Sequence, residues 1–210
     1  MEEFKELIEV AKRLNSPDGC PWDIKQTFRT LRPYILEEAH EVLEAIDKDD
    51  DEEMVEELGD LFYTVIFYGM VAEREERFTM AQIIETLREK LIRRHPHVFG
   101  ELETDSVDVV IKNWDLIKAK EGKKSERKSV LDGIPKALSP LLKGQKVLKK
   151  IKKHKAPKRA QSNDQTLAQQ VIALIEKANE EGIDLESEVR HELSKEEAHF
   201  REWELQSFQD

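Results

Sequence analysis

The sequence predicts an all-α protein: a helical bundle of about five helices, followed by a reduced helical C-terminal region. Apolar residues recur at helical spacing in almost every stretch between breaks. The breaks carry the residues that start and stop helices, among them Pro17, Gly19, Asp50, Thr79 and Pro96. Alternation of apolar and polar residues, the mark of a strand, is confined to a brief run at residues 107–109.

The chain has 210 residues and a formal net charge of −11, a length suited to one domain or slightly more. Its single cysteine, Cys20, excludes a disulfide framework and a multi-cysteine zinc site, so a reducing cytoplasm is expected. The acidic N-terminus lacks the order of a signal peptide. The longest nearly apolar stretch, residues 61–72, contains Thr64 and Gly69 and is too short to span a bilayer. Charge is unevenly spread. Residues 1–60 carry 19 acids against 7 bases, whereas residues 116–160 carry 16 bases against 3 acids. The commoner reading of the basic block is a solvated face running into a linker, and no nucleic-acid partner is expected because interleaved aromatics are missing.

The first helix follows from Phe4, Leu7, Ile8, Ala11 and Leu14, and residues 16–19 end it. The second starts near Thr30, tolerates Pro33 in its first turn, and runs to about Asp47. The acids at 49–53 suit the N-terminus of the third. Beyond Asp60 that helix is apolar almost all round, so it must be buried all round, at the bundle centre, at a subunit interface, or both. Its Tyr63, Phe67 and Val71 are expected to meet a second copy. Thr79 with Gln82 forms a capping box for the fourth helix, which Pro96 ends. A fifth spans about residues 106–121. Later helices are expected near 138–151 and from Leu167 onward, the last interrupted at Gly182.

The placement of carboxylates is the informative feature. On a wheel of about 100° per residue, Glu38 falls inside the apolar arc of Leu31, Ile35, Val42 and Ala45. Glu41 lies on the edge of that arc and Glu37 one step out. An ionised carboxylate facing a core needs a cation or several donors. Glu57 and Asp60 flank the stripe of the next helix in the same way, so two helices offer Glu38, Glu41, Glu57 and Asp60 to one another. Such oxygen sets suit hard divalent cations such as magnesium; a buried ion pair with Arg or Lys is the other reading. A di-iron bundle would need a second Glu-x-x-His pair beside Glu37 and His40, and position 60 is aspartate. On the fourth helix Lys90 and Arg94 share a face beside Arg93, a good reach for phosphate oxygens. Trp114 and Lys118 are likewise four apart on the fifth. His95 and His97 are read as closing the fourth helix.

Taken together, Cys20-Pro21-Trp22-Asp23 with Gln26-Thr27, Glu37-Glu38-Ala39-His40-Glu41, Glu57-Leu58-Gly59-Asp60, and Lys90 with residues 93–99 resemble the MazG nucleoside triphosphate pyrophosphohydrolases. The resemblance covers residues 1–121, with a further stretch at 131–138. It implies an all-α, dimerising bundle that hydrolyses nucleoside triphosphates to the monophosphate and pyrophosphate with Mg2+. Carried over by motif, Glu38, Glu41, Glu57 and Asp60 would hold the metal. Glu37, Glu38, Lys90, Arg93, Arg94, Trp114 and Lys118 would bind substrate, and Glu37 or Glu41 would act as general base. The expected organisation is a catalytic domain at 1–121, a linker at 122–138, and a reduced helical second domain at 139–210 that lacks a second set of metal motifs. The alternative function is a regulatory or nucleic-acid-associated helical binding protein with a vestigial metal site.

Overall fold

The computed structural model describes residues 2–121, 128–154 and 166–207. The far end of the basic block, residues 155–159, and residues 122–127 of the expected linker lie outside them. Every regular element among the described residues is helical. The chain divides into two compact units, 1–117 and 118–210.

The first unit contains α1 (Glu2–Leu14), α2 (Pro21–Lys25), α3 (Arg32–Lys48), α4 (Asp51–Arg74), α5 (Met80–Arg94), α6 (Pro96–Phe99) and most of α7 (Val107–Lys120). Its spine is the antiparallel α3–α4 hairpin. Two aspartates make the connection. Asp49 takes the left-handed conformation, φ 56°, and its N–H reaches the Ala45 and Ile46 carbonyls. Asp50 then caps α4, its carboxylate accepting from the Glu52 and Glu53 N–H groups at 3.0 Å. α5 starts with the expected capping box of Thr79 and Gln82. The Cβ-less surface of Gly69 lets Met80 come in close, and Met80 N–H donates to Glu73, so α5 is pinned to α4 at its N-terminal end.

The core fills two sides of α4. Ile66 and Met70 meet Ala11 of α1, with Leu7, Ile8 and Met80 around them. Phe67 and Val71 meet Leu31, with Phe28, Tyr34 and Tyr68 around them. This corrects the expectation that Tyr63, Phe67 and Val71 face a second copy: Phe67 and Val71 are already covered within the chain. An all-round apolar helix has no preferred face on a wheel; where α1 and α3 pack decides which face is filled. The apolar face left exposed is that of Val55, Leu58, Phe62 and Val65.

A buried polar latch holds the segment before α3. Asp23, in the short α2, is buried and accepts from the Tyr63 hydroxyl at 3.4 Å. Arg74 donates to the carbonyls of Asp23 and Gln26. Burial first, and Asp23 second, push the Tyr63 phenol up to about 12.

The second unit holds α8 (Pro140–Lys153), α9 (Leu167–Glu181) and α10 (Leu185–Ser207). Ser139 caps α8. Ile175 of α9 seats over Gly144, where a Cβ would come within 2.7 Å of it. Gly182, φ 75°, ends α9 in the left-handed region, where the sequence places the interruption.

Candidate metal and nucleotide site

The turn at Asp49-Asp50 sets which acids face one another. In an antiparallel hairpin, residues equally far from the turn lie at the same level. Counting out from Asp49, the left-handed residue of the turn, pairs Glu41 with Glu57 on one rung and Glu38 with Asp60 on the next. The electrostatics follow that pairing. Glu38 is half-buried, and its carboxyl is pushed above the usual carboxylate range by loss of water, then by Asp60, Glu41, Glu57 and Glu37. Glu57 is pushed up by loss of water, then by Glu41, Asp60, Glu56 and Glu53.

Oxygens of Glu38, Glu41 and Glu57 lie within 4.8 Å of one another. Among the described residues this is the one group of three or more His, Cys, Asp or Glu side chains that close. Glu38 Oε2 is buried and meets no hydrogen-bond donor among the described residues. Acids crowd here with their neighbours raising rather than relieving the cost of ionisation. The donor set fits a hard divalent cation: at magnesium bond lengths of 2.0–2.1 Å, ligand oxygens stand ~3 to 4 Å apart, so a small closure of the trio suffices.

Arg93 and Arg94 end α5, with Lys90 one turn earlier. The Arg94 guanidinium lies 5.3 Å from the centre of the Trp114 ring, joining two of the expected substrate residues across α5 and α7. Lys118, one turn beyond Trp114 on α7, falls past the boundary between the units. His95 serves the helix end as expected, its Nδ1 donating to the Leu91 carbonyl at 2.6 Å. Sequence reasoning quoted Trp22 within a motif but gave it no role of its own. Trp22 is half-exposed, packs edge-on against Tyr34 at 5.7 Å and tilts against Phe67 at 6.1 Å. Tyr34 lies one turn before Glu38 on α3. Pro21 at the first helical position was the signal that a short helix would present this indole.

The unit is thus all-α and built on a helical hairpin, with acids facing across it and a basic helix end beside an indole. The family model of the MazG nucleotide pyrophosphohydrolase domain matches residues 26–99, which hold α3, α4 and α5. A nucleoside triphosphate pyrophosphohydrolase of Escherichia coli K12 is 41% identical over 151 residues, covering 71% of this chain and 57% of that protein. A nucleoside triphosphate pyrophosphohydrolase/pyrophosphatase MazG of Thermotoga maritima is 47% identical over 138 residues, covering 65% and 52%. The crystal structure of a MazG-related protein from Thermotoga maritima superposes with a TM-score of 0.50 at 33% identity, over 55% of this chain and 99% of that one. The chain belongs to the MazG family. It spans little more than half the length of the two pyrophosphohydrolases. No helix among the described residues is long and apolar enough to cross a membrane.

Proposed function

We propose that the chain hydrolyses nucleoside triphosphates to nucleoside monophosphate and pyrophosphate in a magnesium-dependent reaction. The observation that carries this reading is the trio of Glu38, Glu41 and Glu57, gathered with a buried Glu38 oxygen that meets no donor among the described residues. The names of the Escherichia coli and Thermotoga maritima relatives support the same reaction. Glu38, Glu41 and Glu57 hold the metal, with Asp60, on the rung of Glu38, as a fourth ligand. Magnesium, when bound, neutralises phosphate charge and acidifies a coordinated water. Lys90, Arg93 and Arg94 stabilise the negative charge that builds on the leaving pyrophosphate. Trp114, already under a guanidinium, offers a ring for stacking. Glu37 or Glu41 takes the proton from the water that attacks the α-phosphorus. That water's oxygen ends on the monophosphate, and the bond to the bridging oxygen breaks to release pyrophosphate.

Catalysis resides in residues 1–121; residues 122–138 link them to a helical remainder at 139–210 that carries no metal motif. The exposed Val55, Leu58, Phe62 and Val65 recur at helical spacing along α4 and form the face by which two copies pair. The protein acts on the cytoplasmic nucleotide pool. A panel of triphosphates, assayed with magnesium and with chelator, tests the reading. Glu57→Gln should reduce turnover to background while leaving the helical circular-dichroism signal intact. Retained turnover in that variant would remove the metal assignment.

A further inference from the structure

In the second unit, α10 runs far beyond its last anchor. Its ties to the rest of the unit gather at its N-terminal end: Ser139 donates to Glu186 at 2.5 Å, and Gln145 bonds the Ile183 carbonyl and the Leu185 N–H. From 191 to 203 every side chain is exposed. A helix segment of this length is marginal in water on its own. Yet it carries Leu193, Phe200 and Trp203, each more than half exposed. With Leu185 and Val189 they fall within an arc of about 80° on the helix, a straight apolar stripe. Glu188 and Glu192 flank the stripe on one side, with Glu196 just inside that edge, and Glu186, Glu197 and Glu204 flank it on the other. Pairing α10 with itself would set these acids against one another.

The complementary surface is on the same unit. Gln145 of α8 and Asn179 of α9 are bonded to each other and mark the side of the α8–α9 pair that α10 follows. By helical geometry of about 100° per residue, the opposite side sets Lys143 and Lys150 of α8 beside Leu167, Val171 and Leu174 of α9. Those three α9 residues are exposed, and α8 carries six lysines and no acid.

We propose that this groove is the seat of α10 from a second copy, whose apolar stripe covers the α9 leucines while its glutamate flank meets Lys143 and Lys150. Both halves of the contact belong to one chain. Two copies related by a twofold axis therefore satisfy both grooves and both helices at once. This interface lies entirely in the second unit and is independent of the α4 face.

The test uses the full chain in a Cys20→Ser background. One batch carries His199→Cys on α10, the other Gln170→Cys on α9, and the mixture is treated with a short bis-maleimide. The mixed batches should give covalent dimer well above either batch alone. Phe200→Glu with Trp203→Glu should lower that yield about tenfold or more, as loss of buried aromatic anchors does. Lys143→Glu with Lys150→Glu should also lower it, and adding Glu192→Lys with Glu196→Lys to that chain should restore it. Phe62→Glu in α4 should leave it in place. No excess of mixed dimer, indifference to the aromatic pair, failure of the charge swap to restore the yield, or loss of the cross-link in Phe62→Glu would each overturn the proposal.

Discussion

Replacing Glu38 by Gln should make the metal-free protein more stable and the magnesium-loaded protein inactive. The side chain keeps its shape and loses its charge. Its carboxylate stands within 4.8 Å of those of Glu41 and Glu57, and its burial and its neighbours all oppose ionisation. Two unit charges at that separation repel by about 1 kcal/mol in bulk water and about 3.5 kcal/mol at an effective dielectric of 20. The site is half open to water, which screens such pairs toward the lower figure. A gain of about 1 kcal/mol in chelator follows, or ~3 to 6 °C in melting temperature for a unit of this size. The Gln amide can also donate to a neighbouring carboxylate, which adds to the same sign. Magnesium at ten times its dissociation constant should stabilise the wild type by about 1.4 kcal/mol and the variant far less. Calorimetry in chelator and in magnesium should therefore show the order of stability narrow or reverse. A variant that melts below the wild type in chelator, or a wild type indifferent to magnesium, would refute the reasoning.

Asp50→Ala removes the acceptor for two α4 N–H groups and should cost about 1 kcal/mol in urea unfolding. Ile66→Ala empties a fully buried site between α1 and α4 and should cost ~2 to 5 kcal/mol. Gly59→Ala meets open space in a helix interior, so it should stabilise the isolated fold by about 1 kcal/mol; a loss of the proposed turnover alongside that gain would show that something approaches this backbone closely during the reaction. Tyr63 has its folded pKa raised from 10.0 to about 12. Its contribution is therefore full below pH 10.0 and fades as pH climbs to about 12. Tyr63→Phe should flatten that part of the pH–stability curve, and an unchanged slope would count against the Asp23 latch.

Much of the hairpin was legible in residue types. Pro33, the acids at 49–53 and the Thr79–Gln82 box placed α3, α4 and α5, because each is a local backbone rule satisfied within one turn. Glu38 was legible because a wheel registers a charge among apolar neighbours. The rung pairing was also present in the sequence: once the turn is centred on Asp49, Glu41 falls opposite Glu57 and Glu38 opposite Asp60. The face of α4 that stays exposed was not legible, because Val55, Phe62, Phe67 and Val71 are equally apolar and only long-range packing by Ala11 and Leu31 separates them. The Asp23–Tyr63 latch was hidden for a similar reason, since it joins residues forty apart in sequence through a tertiary contact.

The most direct measurement is the phosphorus spectrum of a nucleoside triphosphate incubated with the chain and magnesium. The account predicts monophosphate and pyrophosphate in equal amounts, with no such products in chelator or in Glu38→Gln. Diphosphate and inorganic phosphate as products, or turnover that survives chelator or the loss of the Glu38 charge, would contradict it.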